Sequence, residues 1–341
     1  MDIIIKSFNR PYYLDRCIQS IYKNVVDSDF TIKILDDGTP EKYLERLKEN
    51  YPGIQIYKSE FYNEKSAKIA EGASYSGNVP KADIPINLWM EEAQNATDYF
   101  LLLEDDIWLI QKINLDATQA FLTSKRIFFL KLFWLGNDKL VESRLTEKTD
   151  FLSIYKPQLF TSNPLLFRLI FRMDRWKSRA MLTFLRIYSK ERFLKYYTIY
   201  SVAGVIFKKE YFLNLWKDHK NSVDEHLQLF NAVNYYHKNK AMHFARTNVE
   251  VARTGFLSSA TNQHKNYEGI HLDMFELNRV LNEAWYNNGL DAMENFPKDL
   301  DEPKIAAVLE KANQPLAQKE EWQKWVGRFK EQFRSFGCNI D

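Results

Sequence analysis

The chain has 341 residues, with 47 Lys and Arg against 45 Asp and Glu, so its formal net charge is only +2. That balance excludes a protein whose main work is bulk electrostatic binding of nucleic acid. Apolar residues at 45% and charged residues at 27% exclude a disordered chain. Two cysteines, Cys17 and Cys338, exclude a disulfide framework and fit a reducing compartment.

In chain order, Ile3-Ile4-Ile5 is a β-branched run and predicts a buried strand. Pro11 opens a helix whose Leu14, Cys17, Ile18 and Ile21 recur at helical spacing. Phe30, Ile32 and Ile34 alternate with polar residues and predict a strand that ends in Asp36-Asp37-Gly38. Thr39-Pro40 starts a second helix carrying Leu44 and Leu47. Ile54 to Tyr57 predicts a third strand, Ser59 to Asp83 a long loop, and Ile86 to Ala96 a helix. Tyr99 to Leu103 predicts a fourth strand, running straight into Glu104-Asp105-Asp106. Alternating strands and helices imply a mostly parallel sheet, and ligands bind such sheets beyond the carboxyl ends of the strands. Ser7 to Arg10, Asp36 to Gly38 and Glu104 to Asp106 are therefore expected to converge on one edge.

Three adjacent carboxylates repel one another and call for a cation. Mg²⁺ or Mn²⁺, held by one or two carboxylates and substrate phosphates, suits them. Read alone, the triplet is also compatible with a solvated strand end, and Asp-Gly with ordinary turn chemistry. The chain has only 11 glycines and lacks Walker A, Gly-x-Gly-x-x-Gly and His-Glu-x-x-His patterns, which disfavours a dinucleotide-binding enzyme.

The segments Ile3 to Leu14, Ile32 to Thr39 and Leu101 to Asp106 resemble, in order, the opening strand and turn, the Asp-Asp-Gly-Ser turn and the DxD element of family 2 glycosyltransferases of the GT-A fold. The Glu-Asp-Asp form is also similar to the N-acetylglucosaminyltransferase I family. The resemblance covers about residues 2–110. It implies an α/β fold with a mixed, mainly parallel sheet flanked by helices. It further implies a nucleotide pocket lined by Ser7, Phe8, Asn9 and Arg10. Asp36 or, by preference, Asp37 would accept the uracil imide N–H. Glu104 and Asp105 would lie near the ribose, and Asp106 would ligate Mn²⁺ or Mg²⁺. Lys65 and Lys68 are candidates for a basic contact to the nucleotide; ordinary exposed lysines are the alternative.

In the second half, Arg126 to Phe133 predicts a strand, followed by Ser201 to Glu210, which resembles the small-residue strand of GT-A enzymes. Gly204 there either lets a sugar approach or marks a bulge. Glu225, with Asp224 second, occupies the place of the base in inverting enzymes of this fold. Ser222-x-x-Glu225 is equally a capping box. Asn248 to Phe256 is similar in part to an N-acetylglucosaminyltransferase I segment, which makes Arg253 a candidate for the leaving diphosphate, with an ion pair to Glu250 as the alternative. Ser258 to His264 reads as a lid.

Residues 160–200 hold nine basic and two acidic residues, a surplus of seven, so the rest of the chain carries −5. Leucines and phenylalanines interleave with this charge, as they would on an anionic membrane surface or on a solvated helical pair. Trp322, Trp325, Val326, Phe329, Phe333 and Phe336 recur at helical spacing, giving an apolar face within residues 319–336 that either docks on the core or touches a membrane. No signal peptide is expected after Met1-Asp2, and no apolar run reaches the roughly 20 residues of a membrane span.

The expected organisation is a nucleotide-sugar half at 1–110, an acceptor half at 111–265 with a basic helical insertion at about 158–198, and a helical extension at 266–341. The expected function is a metal-dependent, inverting glycosyltransferase. It would use a nucleotide sugar, by preference UDP-linked, and a glycan or lipid-linked saccharide acceptor. Its expected setting is cytoplasmic, peripheral to the inner face of a membrane. The aromatic excess would serve sugar stacking and the two basic helices. A sugar nucleotidyltransferase and a non-catalytic glycan- or lipid-diphosphate-binding module are the alternatives.

Overall fold

A computed structural model describes residues 1–70, 84–171, 176–219, 222–262 and 267–340. The expectations for the loop beyond Ala70 up to Asp83, for Arg172 and Arg175, and for Gln263 and His264 lie outside these residues. The strands are β1 (Asp2–Ser7), β2 (Thr31–Asp36), β3 (Gln55–Lys58), β4 (Tyr99–Glu104), β5 (Ile107–Leu109), β6 (Ile127–Lys131), β7 (Arg144–Lys148), β8 (Leu152–Lys156), β9 (Val205–Lys208), β10 (His243–Thr247) and β11 (Ala252–Thr254). The helices are α1 (Pro11–Asn24), α2 (Glu41–Asn50), α3 (Tyr62–Ala70), α4 (Ile86–Gln94), α5 (Leu115–Ser124), α6 (Pro164–Phe171), α7 (Trp176–Phe184), α8 (Lys190–Leu194), α9 (Lys209–Trp216), α10 (Glu225–Lys238), α11 (Met274–Tyr286), α12 (Glu302–Ala312) and α13 (Lys319–Arg334).

Nine strands form one sheet in the order β3-β2-β1-β4-β9-β6-β10-β8-β7, and β5 pairs with β11 in a small second sheet. β3, β2, β1 and β4 are parallel neighbours, β9 is antiparallel to both β4 and β6, and β10 is parallel to β6. Only β9 and β8 oppose the common direction, so the sheet is mixed and mainly parallel.

Strand alternation divides the core into two layers. Ile3, Ile5, Leu101 and Leu103 face one layer, packed with α1, α2 and the C-terminal helices. Ile4, Phe100 and Leu102 face the other, with residues of α4, α6, α9 and α10. β1 is buried along its whole length, as a central strand covered on both faces must be. Much of the aromatic excess is packed within these two core layers. Phe129 meets Phe207 edge-on at 5.5 Å, and Phe100 meets Phe212 at 5.3 Å.

Three local expectations change. The segment after Ser59 is not all loop, since α3 buries Tyr62, Lys65, Ser66 and Ile69 along one face. The capping box at Ser222 does not form, because Asp224 is the N-cap of α10 and accepts from the Leu227 N–H at 3.0 Å. The C-terminal helix docks on the core: Trp322 and Trp325 are each 1% exposed, and the Trp322 indole donates to the Leu257 carbonyl at 2.8 Å. Residues 319–336 therefore offer no apolar face to a membrane from these positions.

Candidate active site

The parallel strands end level with one another. Ser7 of β1 lies opposite Asp36 of β2, and Lys6 lies opposite Glu104 of β4. The turns after these strands open into a cleft of about 350 Å³, lined by Ser7, Phe8, Arg10, Asp37, Glu104, Asp105 and Asp106 among others. Residues 258–261, Trp89 and Phe329 close its sides. The convergence of three polar clusters is thus realised.

Arg10 meets the acidic turn first. Its guanidinium pairs with Asp105 and, at 2.9 Å, with Asp106. Both carboxylates outweigh the burial that would discharge it, so Arg10 is held charged. Burial pushes Asp105 up to about 7; Arg10 opposes the shift and the neighbouring Asp106 adds to it. Asp106 is raised for the same reason. Burial would also raise Glu104, but Lys6 at 2.8 Å brings it below its usual value. Lys6 lies over the Trp89 ring as well, at 4.6 Å, and donates to the Val202 carbonyl at 3.1 Å. Protein cations thus meet much of the charge that the sequence left unbalanced. One acceptor of this turn is left over, for Asp106 Oδ1 is buried without a hydrogen-bond partner among the described residues.

The two aspartates of the second turn take different work. Asp36 is wholly buried and accepts from the Gly38 and Thr39 N–H groups and the Thr39 hydroxyl, at 3.0, 2.7 and 2.6 Å. It holds the turn and does not face the cleft. Asp37 does, with Lys65 at 2.6 Å on its Oδ2. Burial pushes Asp37 up to about 6 against the pull of Lys65. Lys68 points elsewhere, to Glu64 one helical turn back. Asn9 is also structural: with φ +53° it donates its N–H to the Thr39 hydroxyl and is held by the Asn282 amide at 3.0 Å.

Gly204 has φ +67°, and a Cβ there would lie 2.0 Å from the Phe133 ring. Its positive φ and the Phe133 ring at the entry to β9 both call for glycine. Arg253 is set apart from the carboxylates. It lines a second cavity with Trp108, Glu250 and Asp299. Glu250 does not pair with it among the described residues; its carboxylate accepts from the Trp134 N–H.

Glu225 opens α10, and its Oε2 accepts from the Tyr197 hydroxyl at 2.8 Å. Tyr200 is wholly buried with an unpartnered hydroxyl. Burial raises its pKa first, and the charges of Glu225, Glu104 and Asp224 raise it further. Glu225 does not itself line the cleft of the acidic turn.

Lys6, Tyr197 and Tyr200 escaped the sequence reading because a strand-end lysine and a Tyr-Tyr-Thr-Ile-Tyr run carry only an apolar signal. Lys131 escaped it too. It is buried at the end of β6, donates to the Tyr197 carbonyl at 2.7 Å, and has no acidic partner among the described residues. Burial lowers its pKa from 10.5 to about 7. The unfolded chain keeps this proton up to the higher value and the folded chain releases it at the lower. Stability therefore rises with pH between about 7 and 10.5, and the penalty is complete below 7. Lys131→Met should stabilise the fold near pH 6 by about 1–4 kcal/mol, with the gain shrinking towards pH 10. Equal gains in denaturant titrations at both pH values would refute the burial effect.

Comparison with known proteins now bears on this geometry. Residues 2–78 match the family model described as Glycosyl transferase family 2. The match and the mixed, mainly parallel sheet support a glycosyltransferase. The matched segment spans β1, β2 and both turns that carry Arg10 and Asp37. Solved structures similar to this glycosyltransferase include S. aureus TarS in complex with UDP, at 12% identity and a TM-score of 0.40, over 98% of this chain and 71% of that one. Another S. aureus TarS structure is similar at 11% identity and a TM-score of 0.41, over 91% of this chain and 48% of that one. Glucosyl-3-phosphoglycerate synthase from Mycobacterium tuberculosis, in complex with Mn²⁺, UDP and phosphoglyceric acid, is similar at 12% identity and a TM-score of 0.38, over 85% and 80% of the two chains. No curated protein matches the chain. Among the described residues, no helix is long and apolar enough to cross a membrane.

Proposed function

We propose that this glycosyltransferase moves a sugar from a UDP-linked donor to a hydroxyl of a glycan or lipid-linked saccharide, with inversion. The observation that carries the reading is the cleft where Asp37 and the Glu104–Asp106 triplet meet at level strand ends, with Asp106 Oδ1 left without a donor among the described residues. Asp37 accepts the uracil imide N–H, with Lys65 keeping its carboxylate in place. Ser7, Phe8 and Arg10 line the nucleotide, and Glu104 and Asp105 border the ribose. Arg10 orients Asp105 and Asp106 before the donor arrives.

Asp106 Oδ1 suits Mn²⁺ or Mg²⁺, which keep few protein ligands and complete their shell with phosphates. No group of three or more metal-ligating side chains occurs among the described residues. Asp106 would hold the cation, whose charge would offset that on the departing diphosphate. Tyr197 orients Glu225, which takes the proton of the acceptor hydroxyl as its oxygen bonds to the anomeric carbon and the bond to the diphosphate breaks. No protein nucleophile is required. The setting inferred is cytoplasmic, against the inner face of a membrane.

A panel of nucleotide sugars with Mn²⁺, read as protection against heat, tests the donor. A bound ligand raises apparent stability, by about 2.7 kcal/mol at a hundred times its Kd. UDP-sugars should protect and GDP-sugars should not. Failure of every UDP-sugar would overturn the role of Asp37.

A further inference from the structure

We propose that α6, α7 and the turn that follows form a docking surface for an anionic lipid bilayer. Thirteen large apolar side chains are exposed among the described residues, and seven of them lie between Phe160 and Leu185. Leu165 is 76% exposed and Phe184 85%, with Leu169, Met181 and Leu185 about half exposed. An exposed apolar patch of this kind marks an interaction site.

The patch is anchored from behind. Phe167 and Phe171 of α6 are buried against Tyr196, at 4.7 and 5.1 Å between ring centres. That packing turns Leu165, Leu166 and Leu169 outward. Arg168 of α6 and Arg186 and Lys190, which follow α7, are also exposed. Apolar tips flanked by basic groups are what an anionic membrane interface accepts: the tips enter the acyl boundary and the cations stay with the headgroups. A second copy of the chain fits poorly, because the exposed Arg168, Arg186 and Lys190 would face their like.

The inference rests on the proposed acceptor in one respect, that a lipid-linked saccharide would enter from this side. The patch adjoins the candidate base through two contacts. Phe193 stacks on His226 at 5.0 Å and packs on Phe171 at 5.8 Å, and Tyr197 donates to Glu225. An acceptor whose lipid stays in the bilayer would thus present its hydroxyl close to Glu225.

Co-sedimentation of the full chain with vesicles of phosphatidylcholine, with and without phosphatidylglycerol, tests the surface. The protein should pellet with the anionic vesicles, and high salt should weaken the binding. A variant combining Leu165→Glu and Phe184→Glu should bind at least about tenfold more weakly, while protection against heat by a UDP-sugar is unchanged. Absence of binding by the unaltered protein, or equal binding by the variant, would overturn the proposal. So would sedimentation velocity showing an oligomer that the variant abolishes, since the patch would then be a self-contact. Because protection by the donor is read separately, failure of the membrane surface leaves the donor assignment standing, and the reverse.

Discussion

Asp106→Asn should lower kcat/KM for a UDP-sugar by about 10²–10⁴-fold, the range expected when a group stabilising transition-state charge is lost. Two features lead to this magnitude. Asp106 Oδ1 is the buried carboxylate oxygen of the acidic turn that has no donor among the described residues, and it is the proposed cation ligand. Its Oδ2 already takes Arg10 at 2.9 Å, and an amide oxygen can keep that hydrogen bond while supplying no charge. The fold should survive. Arg10 retains Asp105, and removing the charge of Asp106 relieves a repulsion that now helps to hold Asp105 at about 7. Thermal unfolding without ligand should therefore change little, whereas the Mn²⁺-dependent protection by donor should vanish. Retained protection and turnover would place the cation elsewhere.

Glu225→Gln should depress kcat by about 10²–10⁴-fold, the usual range for a general base, and leave donor affinity intact. The amide keeps the shape and can still accept from Tyr197, but it cannot carry the acceptor proton. A helix-start role would leave a different trace. An acid in the first turn of α10 contributes only about 0.3–1 kcal/mol through the helix dipole, and the cap itself is Asp224. Normal turnover with slightly reduced stability would assign Glu225 to the helix alone. Tyr197→Phe supplies the internal control: it should lower kcat by a smaller factor than Glu225→Gln, because orientation is lost while the carboxylate remains. An unchanged rate would separate Tyr197 from the reaction.

The parts legible in the sequence are those set by neighbours close in the chain. A β-branched run and the polar turn after it identify a strand and its end, and parallel strands in register carry their ends to one edge. Thus Arg10, the Asp36-Asp37 turn and Glu104 to Asp106 stand out from sequence pattern alone, and Arg10, Asp37 and the triplet do line one cleft. α3 does not stand out, because two of its four buried residues, Lys65 and Ser66, are polar, which erases the apolar period that announces a helix. Lys65 becomes a site residue only because α3 carries its ammonium to Asp37, 28 positions away.

The same division separates what the sequence by itself determined from what only the tertiary structure decided. Local pattern determined the α/β character, the positions of the acidic turns and the presence of two apolar faces, because period and turn chemistry act over a few residues. It did not decide which of Asp36 and Asp37 would face the cleft, since both satisfy the same turn spacing; the hydrogen bonds of Asp36 to Gly38 and Thr39 made that choice. It did not supply the cation for Asp105 and Asp106, because Arg10 reaches them across some 95 residues. Nor did it say which apolar face is covered. α13 meets Phe256 and Leu257, while the outer face of α6 meets no such cover among the described residues. Burial and ion pairing belong to neighbours distant in the chain, and a helical period records that a face is apolar without recording what packs against it.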